Sequence, residues 1–262
     1  MARHEFTRRK VSSTEWSAEL PEMTPEELKQ CALKHGGYQT PELNDILYLH
    51  YKGYKRIENL QSYTGLKALW LESNGFMKIE SLDHLSELRC LFLQKNLIST
   101  IENLKGLSNL VQLDLSENHI VFVQGLSVLP NLATLNLAKN ALTDGNSISH
   151  LKECKQLTTL DLSCNQLRGE EVLQVMIGID SLVVLSMNEN PVSRELSDFR
   201  KKCIIGMPKL KCLDKPIFDV ERFSAEAWAV GGKDAELKAK QEWQQRQKDK
   251  DRQALEVSID GS

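Results

Sequence analysis

The sequence predicts an α/β solenoid, with a curved parallel β-sheet on a concave face, helices and turns on a convex face, and a helical cap at each end. One eleven-residue phrase occurs six times, at residues 66–76, 88–98, 110–120, 132–142, 157–167 and 182–192. Each copy follows the pattern L-x-x-L-x-L-x-x-N-x-apolar, with Met187 at the third leucine of the last copy. The copies recur at a nearly fixed spacing, so each unit is expected to pack mainly on its neighbours.

This pattern is the signature of a leucine-rich repeat. The signature asparagines are 22 residues apart from Asn74 to Asn140 and 25 residues apart from Asn140 to Asn190. The shorter spacing leaves room on the convex side for a turn or a 3₁₀ segment. The longer spacing predicts short helices around residues 147–155 and 170–179. A degenerate first repeat at 43–54, with Lys52 at the asparagine position, brings the predicted number of strands to seven.

The asparagine column has a structural interpretation. A side-chain amide carries two donors and an acceptor. At the bend that follows each strand it can pair backbone groups that would otherwise remain unpaired in the interior. The stacked copies are therefore predicted to form a ladder of hydrogen bonds.

The chain divides into five predicted segments. They are a disordered N-terminus (1–20), an N-terminal capping helix (21–42), about seven leucine-rich repeats (43–192), a C-terminal repeat cap (193–218) and a charged helical extension (219–262). The capping helix is predicted to have Thr24 as N-cap, Pro25 at its first position and Glu27 completing a capping box. In the extension, Gly231 and Gly232 break a short helix. The residues that follow predict either a solvated, partner-seeking helix or a frayed charged tail.

Composition fits one elongated domain, with 262 residues, 41% of them hydrophobic, 26% charged and a net charge of −3. That charge is too small to indicate nucleic acid or membrane as a partner. No apolar run approaches the roughly 20 residues of a membrane span, and the basic start lacks the apolar core of a signal peptide. Six cysteines without a C-x-x-C pair indicate reduced thiols in a cytosolic protein.

The sequence contains no motif that predicts catalysis. It lacks a phosphate loop, a nucleophile elbow and a zinc motif. Asp114 and Asp161 share the concave face but are two strands, or roughly 10 Å, apart, which is too far to chelate one metal ion. We therefore predict a binding protein, not an enzyme, with no cofactor, no metal site and no small-molecule substrate.

The outward-facing columns of the strands predict the binding site. Because side chains alternate along a strand, the residue between the last two leucines points away from the core. That column reads Tyr48, Trp70, Phe92, Asp114, Asn136, Asp161 and Ser186, and the next outward column begins with His50, Glu72, Gln94 and Ser116. The predicted partner-binding residues are Tyr48, His50, Trp70, Glu72, Phe92, Gln94, Lys95, Asp114, Asn136 and Asp161.

The three consecutive aromatic residues have two interpretations. Cross-strand aromatic pairs stabilise sheets, yet the core does not require rings that face away from it. Exposed apolar patches tend to mark contact sites, and Trp and Tyr are frequent binding hot spots. We therefore favour partner binding. In a third alternative, the N-terminal segment or the C-terminal tail folds back over the patch.

These repeats, with I-E-N-L segments and the terminal sequence FRKKCIIGMPKLKCLD, resemble the phosphatase-regulator type of leucine-rich repeat. Within that type, residues 38–80, LRCLFLQKNLI at 88–98, AEAWAVGG at 225–232 and QEWQQRQ at 241–247 resemble the dynein axonemal assembly factor 1 family. The resemblance covers roughly residues 38–250.

The resemblance implies a cytoplasmic protein of ciliated or flagellated cells, with possible association with the cilium or flagellum. It implies a scaffold in the preassembly of axonemal dynein arms, without enzyme activity or cofactor. The implied partners are axonemal dynein heavy or intermediate chains and chaperone-type assembly factors.

Two other functions remain open at this point. The chain could be an axonemal dynein light chain bound to the motor, which predicts co-purification with assembled axonemes. It could instead be the regulatory subunit of a protein phosphatase, with Asp114 and Asp161 facing a basic enzyme surface. That function predicts co-purified phosphatase activity.

Overall fold

The repeat strands form one continuous sheet. In the computed structural model, which describes residues 21–260, nine strands lie side by side in chain order. They are β1 (Ile46–Tyr48), β2 (Ala68–Trp70), β3 (Cys90–Phe92), β4 (Gln112–Asp114), β5 (Thr134–Asn136), β6 (Thr159–Asp161), β7 (Val184–Ser186), β8 (Cys212–Leu213) and β9 (Lys215–Pro216). The first eight are parallel and β9 runs antiparallel to β8. The predicted solenoid and its seven repeat strands are confirmed.

Each repeat strand buries its central leucine. These leucines are aligned across the sheet, from Leu47 opposite Leu69 to Leu160 opposite Leu185, and each is at most 1% exposed. The residues on either side of them are half-buried in β2 to β7. The leucines of successive repeats thus build one core behind the sheet, and the alternate positions form its concave face.

The asparagine ladder forms as predicted. Asn118 is 5% exposed. Its Nδ2 donates to the backbone oxygens of Leu93, Leu115 and Ser116 at 3.0, 3.1 and 3.1 Å, and its Oδ1 accepts from the backbone nitrogen of Ile98 at 3.0 Å. The same pattern recurs at Asn74, Asn96, Asn140, Asn165 and Asn190. Each amide therefore joins its own turn to the preceding repeat.

The residue before each ladder position has a left-handed backbone. These residues are Tyr51, Ser73, Lys95, Glu117, Lys139, Cys164 and Glu189, with φ between 54° and 59°. This conformation is unfavourable for residues other than glycine, and the repeat pattern did not predict it. From Ser73 onwards, the side-chain amide of the asparagine that follows holds the turn in place, whereas Lys52 follows Tyr51 in the first repeat. At the C-terminal end, the Asp214 carboxylate replaces the asparagine amide as the acceptor for the preceding repeat. Its Oδ1 accepts hydrogen bonds from the backbone nitrogens of Met187 and Asn188 at 2.6 and 3.0 Å.

The secondary structure of the convex side depends on the length of each repeat. The connections between β2 and β5 are turns. The two longer connections contain α2 (Gly145–Ile148) with a 3₁₀ segment (Ser149–Glu153), and α3 (Glu170–Ile177). The prediction that the longer repeats are more helical is therefore confirmed.

The N-terminal cap is α1 (Pro25–Lys34), which buries Leu28 and Cys31. The side chain of Thr24 accepts from the backbone nitrogen of Glu27 at 3.3 Å, as expected for an N-cap. The carboxylate of Glu27 instead lies 3.5 Å from Nζ of Lys52. The second half of the predicted capping box is therefore wrong, because a cation from the first repeat pairs with that carboxylate.

The C-terminal cap contains α4 (Val192–Glu195) and α5 (Phe199–Gly206), and α5 buries Phe199, Cys203 and Ile204. Arg200 ties this cap to the next helix, since its Nε donates to Oε1 of Glu221 at 2.6 Å. This hydrogen bond holds the pKa of the Glu221 carboxyl below its usual value.

The last helix, α6 (Asp219–Asp260), turns back on itself. Its backbone is non-helical at Gly231 and Gly232, where the sequence predicted a break. Beyond the break, the Trp243 ring lies 5.7 Å from that of Phe223, and Oε2 of Glu236 lies 2.6 Å from Nζ of Lys201. The second arm is therefore helical and anchored, so the frayed-tail alternative is wrong for the described part of the extension. The predicted disorder of residues 1–20 lies outside the described residues.

The six cysteines are unpaired. Burial raises the pKa of Cys154 to about 11 and that of Cys203 to about 12, so these two thiols are poor nucleophiles near neutral pH. Among the described helices, none has a run of apolar residues long enough to cross a bilayer.

Replacing Asn118 with alanine should lower the free energy of unfolding by about 1–3 kcal/mol, because buried backbone groups lose their partners. The matched control is Asn131→Ala. Asn131 is exposed and makes one side-chain bond, to the backbone oxygen of Ser108 at 3.0 Å, so its loss should change stability by at most about 0.5 kcal/mol. Urea denaturation compares the two. If the two variants lost the same free energy of unfolding, the structural role of the asparagine ladder would be contradicted.

Replacing Gly232 with alanine should loosen the second arm of α6. Gly232 has φ of 67° and ψ of −154°, a region that is essentially restricted to glycine, and an added Cβ would meet no atom within 4 Å. The cost is therefore conformational, not steric. Hydrogen exchange should become faster across the arm after Gly232, whereas Lys233→Ala should leave it unchanged. Unchanged exchange in the glycine variant would show that the hairpin does not depend on this conformation.

Candidate partner-binding face

The concave side of β1, β2 and β3 carries a continuous row of rings. Tyr48 lies opposite Trp70, and Trp70 lies opposite Phe92. The ring centroids of Tyr48 and Trp70 are 5.9 Å apart, and those of Trp70 and Phe92 are 3.8 Å apart with an interplanar angle of 18°. All three side chains are half-buried. We call these three residues the aromatic row, and the predicted adjacency of its members is confirmed.

His35 extends the row onto the N-terminal cap. Its ring centroid lies 5.0 Å from that of Tyr48, and its Nδ1 lies 2.9 Å from the backbone oxygen of Cys31. His35 is absent from the predicted binding residues, although its position just before Gly36 and Gly37, which favour the end of a helix, was a usable signal. The described part of the C-terminal extension packs on α5, and the N-terminal residues 1–20, which the third alternative would fold over the aromatic row, lie outside the described residues.

A second outward column lies beside the rings. Nδ1 of His50 is 3.7 Å from Oε1 of Glu72, whose side chain is 13% exposed. Within residues 21–260, Oε2 of Glu72 and Oε1 of Gln94 are buried without a hydrogen-bond partner. The three predicted residues are therefore together, and two of them hold unused acceptor atoms next to the aromatic row.

The polar side chains on the concave side of β4, β5 and β6 form hydrogen bonds within the protein. Oδ1 of Asp114 accepts from the backbone nitrogen and from Oγ of Ser116 at 2.9 and 2.7 Å. Oδ2 of Asp114 accepts from Nδ2 of Asn136 at 3.0 Å. Asp161 repeats the first arrangement with Ser163 at 2.8 and 2.6 Å. The recurring D-x-S sequence is the signal for this turn, and the sequence interpretation did not use it.

The prediction that Ser116 faces solvent is wrong. Ser116 is 9% exposed, because its hydroxyl turns towards Asp114. Asp114, Asn136 and Asp161 do lie in register on β4, β5 and β6, in the predicted order.

Lys95 lies at the rim of the face. It occupies the left-handed turn position after β3, is exposed, and its Nζ is 4.0 Å from Oε1 of Glu117. Nζ of Lys139 is 3.5 Å from the same oxygen. The ammonium groups of Lys95 and Lys139 therefore both lie next to the Glu117 carboxylate at the rim.

The concave face presents rings and polar side chains on an open sheet. Among the described residues, no three His, Cys, Asp or Glu side chains are close enough to hold a metal ion. A groove of about 970 Å³ lies elsewhere, at the C-terminal cap, and is bounded by residues that include Leu196, Phe199 and Phe218. A row of rings beside unpaired acceptors is suited to a protein segment.

Comparisons with known proteins show which proteins this chain is similar to. A family model described as leucine-rich repeat matches residues 98–241. Dynein axonemal assembly factor 1 of Homo sapiens is 58% identical over 238 residues, which is 90% of this chain and 33% of that protein. The dynein axonemal assembly factor 1 homolog of Drosophila erecta is 49% identical over 243 residues, which is 92% of this chain and 16% of that protein. The resemblance drawn from the sequence is therefore confirmed, and the chain spans at most about a third of the length of these relatives.

A bacterial protein of known structure shares the fold. The crystal structure of an internalin (inlF) from Listeria monocytogenes matches with a TM-score of 0.56 and 28% identity, over 66% of this chain and 48% of that chain.

Replacing Ser116 with alanine should lower the free energy of unfolding by about 1 kcal/mol, because a half-buried carboxylate loses its hydroxyl donor. Ser108→Ala is the control, since Ser108 is exposed, and its replacement should change stability by at most about 0.5 kcal/mol. Thermal and urea unfolding of the two variants measure the difference. Indistinguishable stabilities would show that the bond to Asp114 contributes nothing.

Proposed function

The chain belongs to the leucine-rich repeat family, and from this and its similarity to assembly factors we propose that it is a non-catalytic scaffold in the assembly of axonemal dynein arms. The observation that carries the proposal is the 58% identity, over 90% of this chain, with a protein named dynein axonemal assembly factor 1. The fly homolog carries the same function in its name. The shared region contains both the repeats and the caps.

In this proposal the protein acts in the cytoplasm, before the arms enter the cilium or flagellum. Its partners are axonemal dynein heavy or intermediate chains and chaperone-type assembly factors. The support for a partner of protein type is the form of the site, since its large half-buried rings lie on an open sheet. A solenoid of this kind presents many positions to one extended partner, because neighbouring strands lie only about 4.8 Å apart.

The aromatic row is the main contact in this proposal, with His50, Glu72 and Gln94 beside it and Lys95 at its rim. Trp70 is central, because it stacks on Phe92 and also contacts Tyr48. Central aromatic residues with half-buried sides are typical binding hot spots. The pre-formed stack also reduces the loss of side-chain freedom when a partner binds.

The double change Trp70→Ala with Phe92→Ala should weaken partner binding by at least about 2 kcal/mol, or roughly thirtyfold. The fold should be largely retained, because these rings lie outside the leucine core. The binding measurement is co-precipitation from flagellate cytosol, scored for dynein heavy and intermediate chains, with circular dichroism as the check of folding.

Phe218→Ala is the matched control, because Phe218 is an aromatic residue that is 68% exposed and lies at the C-terminal groove. Its recovery of dynein chains should equal that of the unmodified chain. If the folded double variant recovers dynein chains fully, the aromatic row is only structural. Recovery of phosphatase subunits and activity, or of assembled axonemes alone, would favour the phosphatase-regulator or the light-chain alternative.

A further inference from the structure

Building on the proposed function, we propose that the concave face receives a positively charged protein segment. In this inference an arginine of the segment lies over the aromatic row with its guanidinium directed to Glu72.

The floor of the face carries only negative formal charge. The outward positions form three columns, namely the first residue of each strand from Ile46 to Val184, the last residue from Tyr48 to Ser186, and the residue two positions after that from His50 to Asn188. These three outward columns contain Glu72, Asp114 and Asp161 and neither lysine nor arginine. The neighbouring cations are found at the rims. There, Lys95 and Lys139 converge on Glu117, Lys67 pairs with Asp45 at 3.0 Å, and Arg89 is exposed before β3. A cationic segment would therefore meet complementary charge over the floor.

Glu72 differs from the two aspartates. Asp114 and Asp161 each accept two hydrogen bonds from the serine two residues later. Glu72 has only the 3.7 Å approach of His50, and its second oxygen has no partner among the described residues. A largely buried carboxylate is costly unless it is paired. A guanidinium supplies several donors in a fixed plane, so a small turn of the Glu72 side chain would let binding satisfy this oxygen.

The carboxylate favours arginine over lysine. A guanidinium presents a planar fork of donors that fits a carboxylate, whereas an ammonium group is a point charge that keeps its hydration. The Trp70 indole is stacked between Tyr48 and Phe92, so an arginine side chain would lie along the ring edges and not on a ring face. Glu72 follows Trp70 by two residues on the same side of the chain, so their Cα atoms are about 7 Å apart. The apolar stem of one arginine can therefore lie over the edge of the indole while its guanidinium reaches the carboxylate.

The test uses the full chain and three labelled nine-residue peptides, in which glycine alternates with arginine, lysine or glutamate. Fluorescence anisotropy in low salt measures the dissociation constants. The arginine peptide should bind at least about tenfold more tightly than the lysine peptide, and the glutamate peptide should not bind at about 1 mM. Glu72→Gln should weaken binding of the arginine peptide about fivefold or more.

Glu87→Gln is the matched control. Glu87 is exposed before β3 and lies outside the three outward columns, so the same loss of charge should leave the arginine peptide unaffected. Trp70→Ala should weaken binding of both the arginine and the lysine peptide, because their apolar stems lose the contact with the ring edge. The inference is overturned if the arginine peptide fails to bind at about 1 mM, if the glutamate peptide binds equally well, or if Glu72→Gln behaves like Glu87→Gln.

Co-precipitation separates this inference from the proposed function. If Trp70→Ala with Phe92→Ala loses dynein chains while Glu72→Gln retains them, the face is a partner site and the arginine inference fails. If both variants lose dynein chains, the two proposals stand together. If neither loses them, the concave face is not the dynein contact.

Discussion

The buried amide of the signature asparagine is the contact on which the solenoid depends. Each amide holds a left-handed turn of its own repeat and accepts a hydrogen bond from a backbone nitrogen of the preceding repeat. These hydrogen bonds offset two unfavourable contributions to folding, because the left-handed turn is unfavourable for most residues and the turn carbonyls would otherwise be buried unpaired. Since every repeat is fixed to its neighbour in this way, the register of the strands follows. Asp214 ends the series with a carboxylate that needs no further repeat.

The fixed register turns single positions of a repeat into columns on a surface. The leucine columns form the core and leave little freedom of sequence. The outward columns are free of that constraint, so their composition can follow binding. The change from rings on β1, β2 and β3 to carboxylates and amides on β4, β5 and β6 is therefore a property of the surface and not of the fold.

The repeat pattern of the sequence predicted the strands, the inward leucines, the asparagine ladder and the helices of the longer repeats. The sequence did not predict which of several nearby groups a side chain contacts. Glu27 pairs with Lys52 instead of closing a capping box, and the Ser116 hydroxyl turns to Asp114. His35 joins the aromatic row because a capping helix ends beside β1. The folding back of α6 depends on Gly232, which marked a break but not its direction.

The geometry of the face also limits how a partner can lie on it. The aromatic row runs across the strands, so three rings cover about 10 Å at the strand spacing. An extended segment crosses that distance with roughly three residues, and a helix does so with about two turns. Successive outward residues of a strand are about 7 Å apart, so the second column with Glu72 lies within reach of the same segment. One ring contact and one carboxylate contact can therefore be made by a single long side chain, which favours a short recognition element over a broad interface.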